Sequence, residues 1–177
     1  MLPLLLAFLG LIFPGSATLG VQAPSQRVPA GPPAVIQGRV TFMVATAHAA
    51  GKNPVRDMAV YLLKFEDSRP FTDLQRRCRS AMGAPKGLAF AAYAICSRSL
   101  DEATGLVPSL PWLSKAKTDR DGAYRFEDVP AGQRYRIIGV KLGEGMPVVV
   151  VGETPHLSAG QQFTLNLAEE DPWTGPL

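Results

Sequence analysis

Apolar and polar residues alternate along several stretches of this chain, as they do in strands that bury one face. Residues 36–44 read IQGRVTFMV, in which the even positions are apolar or glycine, while Gln37, Arg39 and Thr41 lie on the opposite face. Similar alternation, or a short apolar run, predicts further strands over residues 59–65, 122–127, 135–141, 147–151 and 163–167. About seven short strands separated by turns are typical of an antiparallel β-sandwich, so the sequence predicts an all-β, seven-stranded sandwich.

One long segment, residues 66–114, lacks this alternation. Within it, residues 71–82 (FTDLQRRCRSAM) and 88–103 have the composition of helices, and Thr72 or Asp73 could cap the first of them. A loop of this length without secondary structure is uncommon in a compact domain. We therefore expect a small helical insertion between two strands of the sandwich.

The stretch KAKTDRDGAYRFEDVPAG, residues 115–132, raises the question of a metal site. Asp119 and Asp121 could ligate calcium, but a calcium loop needs about six or more oxygen ligands, and an EF-hand needs more acids at fixed spacing. A turn between two strands accounts for every residue, because an Asp side chain accepts backbone N–H hydrogen bonds and Gly122 adopts positive φ at low cost. The sequence favours the turn, with calcium as the alternative.

The N-terminal part of the sequence contains an apolar run, LPLLLAFLGLIF over residues 2–13. Its length fits the core of a secretory signal peptide and is too short to cross a bilayer. The first charged side chain is Arg27, so no basic residue precedes the run, and an uncleaved anchor and an ordinary core segment stay as alternatives. We expect a signal peptide over residues 1–23, with cleavage possible after residue 17, and a proline-rich linker over residues 24–33.

Cys78 and Cys96 are the only two cysteines of the sequence, and both fall in the predicted helical insertion. In an exported protein, an oxidising compartment would allow them to form a disulfide bond. Two separate buried thiols are the second interpretation, whereas metal or redox chemistry has little support because the spacing is not that of a CxxC motif. A disulfide would tie the two halves of the insertion together.

The 177 residues, of which 46% are hydrophobic, suffice for one domain with a real core. The net charge of +3 and the absence of a long Lys/Arg run argue against a nucleic-acid partner. We expect the sandwich to occupy residues 34–168, followed by a flexible tail over residues 169–177. No sequence pattern indicates a cofactor, a catalytic residue or a metal site.

Four stretches, VIQGRV, NPVRDMAVYL, TDRDGAYRFEDVPAGQRYRI and FTLNL, together resemble the carboxypeptidase regulatory-like domain, a transthyretin-like (prealbumin-like) β-sandwich. The resemblance covers residues 34–65 and 115–168, and it leaves the helical insertion outside the pattern. The positions that match the family pattern are Gly38, Val40, Pro54, Val60, Thr118, Asp119, Asp121, Gly122, Tyr124, Phe126, Val129, Pro130, Gly132 and Tyr135.

This resemblance implies a non-catalytic accessory module of a kind found on exported and cell-envelope proteins, with carbohydrate-binding sandwiches among its relatives. Some transthyretin-like relatives are enzymes. Hydroxyisourate hydrolases end in Tyr-Arg-Gly-Ser and use several histidines, whereas this sequence ends in Thr-Gly-Pro-Leu and has only His48 and His156. Intradiol dioxygenases need two closely spaced histidines and two tyrosines on iron, and the two histidines here lie far apart in sequence.

Two features of the insertion could contact a partner. Arg76, Arg77 and Arg79 could present guanidinium groups on one helix face, where arginine suits phosphate or carboxylate, although a solvated basic face is the plainer interpretation. Trp112 is the candidate for stacking on a sugar, although packing within the protein is the more ordinary role. The aromatic residues expected in the core instead are Tyr124, Phe126 and Tyr135.

The sequence thus predicts a secreted or periplasmic, non-catalytic β-sandwich with a binding or structural role in the cell envelope or outside the cell. A carbohydrate-binding module and a small transthyretin-related hydrolase are the alternative functions. The expected partner is a protein or glycan of the cell envelope. Membrane contact is expected only through the N-terminal segment, if that segment stays uncleaved.

Overall fold

The computed structural model describes residues 31–45, 50–83, 86–142 and 147–169, which contain two β-sheets and two α-helices. The predicted signal peptide, most of the predicted linker and nearly all of the predicted tail lie outside these ranges, and so does His48. Of the linker, residues 31–33 are described, and the Pro32 carbonyl oxygen accepts a hydrogen bond from the Gly160 N–H at 2.8 Å.

The longest strand, β1 (Ala34–Ala45), forms the centre of a five-stranded sheet. Its first half lies between β5 (Ala123–Val129) and β8 (Gln162–Thr164), and its second half lies between β2 (Ala50–Pro54) and β9 (Leu167–Glu169). Strands β2 and β5 are antiparallel to β1, whereas β8 and β9 are parallel to it, so this sheet is mixed.

The second sheet has four strands, all antiparallel, in the order β4 (Ser114–Lys117), β3 (Ala59–Lys64), β6 (Tyr135–Lys141) and β7 (Val148–Glu153). The two central strands, β3 and β6, are rich in β-branched and aromatic residues that suit a pleated, buried surface. In β6, every residue from 135 to 140 is buried, so this sheet is covered on both faces.

Two hydrophobic cores follow from this arrangement. The first lies between the sheets and includes Ile36, Val40, Phe126, Leu62, Ile137 and Val150. The second lies on the other face of the four-stranded sheet and includes Tyr61, Leu63, Ile138, Phe71, Cys78 and Leu100. Successive residues of one strand point to opposite faces, so β3 and β6 contribute side chains to both cores. The fold is a β-sandwich whose four-stranded sheet carries a helical layer.

The helical layer is α1 (Arg69–Met82) and α2 (Ala89–Leu106), with short 3-10 helices at Glu66–Ser68, Lys86–Leu88 and Val107–Ser109. The two helices confirm the predicted insertion. In the described part of the chain, neither helix has the length and apolar character needed to cross a membrane.

The prediction that Thr72 or Asp73 caps α1 is wrong. The helix begins earlier, at Arg69, with Pro70 in its first turn, where proline is well tolerated because its missing N–H would have no helical partner. Thr72 therefore lies inside the helix, and its hydroxyl donates a hydrogen bond to the Ser68 carbonyl oxygen at 3.2 Å. The preceding residue, Ser68, makes no side-chain capping hydrogen bond.

The described residues form nine strands rather than the predicted seven. Strand β2 replaces part of a predicted loop, and β4 begins at the last residue of the predicted insertion. The single strand predicted over residues 163–167 is split into β8 and β9, because the Asn166 side-chain oxygen accepts the hydrogen bond of the Arg39 N–H at 3.0 Å. The side chain thus substitutes for a backbone acceptor between the two short strands.

Candidate functional site

The Asp119–Gly122 segment has the geometry of the predicted turn. The Asp119 Oδ1 atom accepts hydrogen bonds from the N–H groups of Asp121 and Ala123, both at 2.8 Å. Gly122 has a φ of 73° and donates its N–H to the Asp119 carbonyl oxygen at 3.1 Å. Since the Asp119 carboxylate already accepts hydrogen bonds from two backbone N–H groups, the turn accounts for this residue without a ligand.

A second turn, over residues 129–132, precedes Tyr135, whose side chain enters the core. Gly132 has a φ of 86°, and the Tyr135 ring is fully buried between the sheets. The Tyr135 hydroxyl donates to the Pro130 carbonyl oxygen and accepts a hydrogen bond from Gln133 Nε2 at 2.7 Å. Burial raises the pKa of Tyr135, while the hydrogen bond from Gln133 opposes that rise. The other aromatic residues predicted in the core, Tyr124 and Phe126, are buried as well.

Groups suited to catalysis or metal binding are dispersed in the described ranges. No three His, Cys, Asp or Glu side chains there lie close enough together to hold a metal ion. His156 lies exposed in the loop between β7 and β8, as expected for a loop residue. The other histidine, His48, is outside the described residues.

The helices α1 and α2 form a hairpin fastened by the predicted disulfide between Cys78 and Cys96, with the two Cα atoms 4.4 Å apart. On α2, residues facing the protein recur every three or four positions and are mostly small, which lets the helices approach closely. These residues are Ala92, Cys96, Ser99 and Ala103. The presence of the disulfide confirms the pairing predicted for an oxidising compartment.

The far end of this hairpin exposes large apolar side chains, a feature that the sequence analysis missed. We call this surface the hairpin tip and define it as Met82, Leu88, Phe90, Tyr93 and Ile95, of which Phe90 is 88% exposed. The sequence signal was present, since LAFAAYAI over residues 88–95 is apolar without either a helical or a strand period. Such a segment is typical of a hydrophobic core, and only the three-dimensional structure shows that its large side chains are exposed.

The three arginines predicted on one face of α1 diverge instead. Arg76 forms an ion pair with Asp73 on its own helix, with N and O atoms 2.7 Å apart. Arg77 reaches across to Glu102 on α2 at 3.0 Å. Arg79 is half-buried and also has an interaction partner. Arg76 and Arg77 therefore pair with carboxylates on different helices. The predicted contact of these arginines and Arg79 with phosphate or carboxylate stays a prediction.

Trp112 is placed after α2, at the end of the hairpin opposite to the tip. Its ring is 44% exposed, and its centroid lies 6.4 Å from that of Tyr61 at a tilt of 59°. The indole N–H donates to the Pro108 carbonyl oxygen at 3.3 Å. Trp112 is thus partly packed against the protein, which is the more ordinary of the two roles predicted for it.

A broad cleft of about 730 Å³, lined mainly by polar residues, lies along the outer face of the five-stranded sheet and reaches Ala116 and Lys117 on β4 of the other sheet. We call it the polar cleft. Two of its three cations are engaged with neighbouring groups: Arg125 contacts Gln37 at 2.6 Å and Glu127 at 2.9 Å, and Lys117 contacts Asp57 at 2.8 Å. The hydrogen bond from Lys117 holds the pKa of Asp57 below its usual value. The polar side chains that line the cleft are Gln37, Arg39, Lys117, Asp119, Arg125, Thr164 and Asn166, and the remaining lining residues are Gly38, Ala116, Ala123 and Tyr124.

A buried ion pair connects the sandwich to the helical layer, and it is a second feature that the sequence analysis missed. The Arg136 side chain on β6 is fully buried, and its guanidinium contacts Glu153 on β7 and the Thr72 hydroxyl on α1. The Phe65 ring lies 4.8 Å from the Arg136 guanidinium carbon. An arginine opposite apolar positions of a strand is normally solvent-facing, so alternation alone could not show that α1 covers it.

No protein-family model matches this chain, and no curated protein matches it significantly. The site must therefore be inferred from its own geometry. The structure keeps the candidates apart: the cleft lies on the outer face of one sheet, and the helical layer covers the outer face of the other. Within the helical layer, Trp112 and the hairpin tip lie at opposite ends of α2.

Proposed function

We propose that this protein is an exported, non-catalytic accessory module with a transthyretin-like fold, which binds a partner in the cell envelope or outside the cell. The carboxypeptidase regulatory-like pattern supports this fold, because its Asp119–Gly122 turn and its buried Tyr124, Phe126 and Tyr135 have the positions that such a sandwich needs. The N-terminal apolar run and the disulfide support export to an oxidising compartment.

The observation that carries the binding role is the hairpin tip. Large apolar side chains that face water cost free energy, and contiguous exposed apolar surfaces on soluble domains mark interaction sites. The tip combines five such side chains at the end of a hairpin that a disulfide holds in place. We infer that α1 and α2 act as the docking element and the sandwich as its rigid support.

The dispersed chemistry of the described ranges supports a binding role over the hydrolase alternative. In those ranges, His156 is exposed in a loop, and acid, thiol and imidazole groups do not gather around a pocket. A hydrolase would need a nucleophile or activated water held next to a general base.

Fractionation of cells that produce the full-length protein tests this proposal. We expect the exported protein to be shortened at its N-terminus, oxidised at Cys78 and Cys96, and retained by envelope or extracellular material. Substituting both Leu88→Ser and Phe90→Ser should abolish most of that retention, whereas Trp112→Ala, which changes an exposed aromatic residue at the other end of α2, should not. A full-length cytoplasmic protein with free thiols would refute export, and retention that ignores the tip would refute the docking element.

A carbohydrate-binding role is the second candidate, and the polar cleft is the observation that favours it. Its lining side chains can donate and accept the hydrogen bonds that a sugar makes. Affinity electrophoresis through gels that contain polysaccharides would test it. This role predicts a retarded wild type and normal migration of Arg39→Ala, while lack of retardation on every polysaccharide would remove it.

A further inference from the structure

The hairpin tip is exposed on nearly all sides. Of residues 87–95, every one except Ala92 is exposed, although seven consecutive residues from Leu88 to Ala94 are apolar or aromatic. A helix that is apolar all round is normally buried in a protein core or in lipid. This segment is therefore suited to an apolar environment that surrounds it on several sides.

Basic residues are concentrated in the sequence that forms this end of the hairpin. From Arg76 to Arg98 the sequence contains five Lys or Arg residues and no Asp or Glu. Two of these cations, Arg77 and Arg98, border a groove of about 220 Å³ together with Ala94 and Ile95. Guanidinium groups next to an exposed isoleucine are an arrangement that complements an anionic surface with an apolar interior.

We propose that the hairpin tip inserts into the surface of a membrane that contains anionic lipids. This inference rests on the proposed function, since it names the partner of the same docking element. Phe90 and Leu88 enter the boundary between headgroups and acyl chains, and Tyr93 lies at the headgroup level. Arg98 contacts lipid phosphate, and Arg77 exchanges its exposed ion pair with Glu102 for a second phosphate. It extends the expectation from the sequence, which allowed membrane contact only through the N-terminal segment.

The shape of the tip favours lipid over a protein partner. A protein partner in a standard interface covers one face of a helix and leaves the opposite face in water. Fluid acyl chains surround an inserted helix end on every side, which fits the exposure of both Phe90 and Ile95 around the start of α2. The disulfide next to Ile95 holds the tip in one arrangement, so insertion orders few additional residues.

Vesicle flotation with the exported, oxidised protein tests the proposal. The probes are vesicles of phosphatidylcholine alone and of phosphatidylcholine mixed with phosphatidylglycerol. We expect binding to the mixed vesicles, weaker binding to phosphatidylcholine, and loss of binding as salt rises. The double substitution Leu88→Ser and Phe90→Ser should weaken binding at least about tenfold. Removing two cations with Arg77→Gln and Arg98→Gln should also weaken it about tenfold, on mixed vesicles only.

The control is Trp112→Ala, which removes an exposed aromatic side chain at the opposite end of α2 and should bind like the wild type. Every variant carries the same N-terminus, so a difference in binding reports the tip rather than any N-terminal anchor. The substituted tip residues are exposed, and unchanged circular dichroism and thermal unfolding would show that each variant folds.

The outcomes separate this inference from the proposed function. Wild-type protein that fails to float with mixed vesicles, or floats equally well after the tip is changed, contradicts the lipid proposal. If envelope retention still depends on the tip in that case, the proposed function stands and the partner is a protein. If neither vesicles nor envelope material bind through the tip, both fail.

Discussion

Gly122 occupies a position that no other residue fits well. Its φ of 73° is in the left-handed region, and a Cβ atom added there would lie 2.5 Å from the Val40 carbonyl oxygen. That close approach is part of the sheet, because the Gly122 carbonyl oxygen accepts the Val40 N–H at 2.9 Å. The TDRDG turn is thereby fixed against the longest strand.

Substituting Gly122→Ala should lower the free energy of unfolding by at least about 2 kcal/mol, since backbone strain and a steric clash add together. Gly132→Ala is the matched control: its φ is 86°, but no atom lies within 4 Å of an added Cβ. Gly132→Ala should lower the free energy of unfolding by only about 1 kcal/mol, because backbone strain is its only cost. Urea denaturation of both variants measures the difference, and equal losses would contradict the close approach at Gly122.

Tyr124 links the core to the break between β8 and β9. Its hydroxyl donates to the Leu165 carbonyl oxygen at 2.6 Å, and burial raises the pKa of the phenol far above its usual value of 10.0. A pKa that is higher in the folded protein than in the unfolded chain means that the folded state binds the proton more tightly. This contribution to stability is complete below pH 10.0 and is lost as the pH rises above it.

Stability should therefore be insensitive to this group near neutral pH and should fall above pH 10, by up to about 1.4 kcal/mol per pH unit for each such tyrosine. Tyr124→Phe should lower stability at pH 7 by about 1 kcal/mol, because a buried carbonyl loses its partner, and should make the alkaline decline shallower. Urea titrations across this pH range provide the measurement. An alkaline slope that is unchanged in Tyr124→Phe would show that the phenol is not protected by burial.

At the scale of elements, the contact between α1 and the sandwich depends on the ion pair of Arg136 and Glu153. Both side chains are nearly inaccessible, with exposures of 1% and 8%. Removing one member of a buried ion pair leaves the other charge without compensation in a poorly solvated place. The same sheet residue also contacts α1 through Thr72, so the pair holds the helical layer in position.

Glu153→Gln should therefore destabilise the protein by about 3 kcal/mol. The matched control is Glu127→Gln, which breaks an exposed pair with Arg125 and should cost less than about 1 kcal/mol. Thermal unfolding of the two variants gives the comparison. If both variants lose the same small amount of stability, the contact of Arg136 with Glu153 does not anchor α1.

Alternation along the chain gave the interior strands correctly, because β1, β3 and β6 carry enough apolar residues to define their buried faces. Strands β2 (AGKNP) and β4 (SKAK) could not be found in this way, since backbone pairing with a neighbour defines them rather than side-chain burial. Alternation also fails for Arg136, which it predicts to be a surface residue. The burial of this side chain depends on the helical layer, which the strand pattern cannot show.

Composition predicted the helices of the insertion and their disulfide, but it could not assign their exposed faces. Residues 88–95 contain no charge that would mark a solvent side, and Arg76, Arg77 and Arg79 suggested a basic face instead. Only the arrangement of α1 and α2 shows that small residues occupy the contact between the helices and that large ones face outward. The candidate site was therefore predicted in its location, the insertion, but not in its chemistry.

At the scale of the whole molecule, the two outer faces of the sandwich differ. The face of the five-stranded sheet is polar and carries the cleft, as expected of a sheet that faces water on one side. The other sheet is covered by the helical hairpin, whose tip extends the apolar surface beyond the core. The protein thus has one polar face and one apolar, positively charged end, and we assign docking to the latter.

The most direct test of this assignment is the environment of residue 90 on a membrane. A single tryptophan is introduced as Phe90→Trp in a background with Trp112→Phe and Trp173→Phe, and a parallel protein carries Thr164→Trp on the polar face. With vesicles that contain phosphatidylglycerol and brominated lipids, the account predicts a blue shift and strong quenching for the tryptophan at position 90, and no change at position 164. Unchanged emission at position 90, or quenching at position 164 instead, would contradict it.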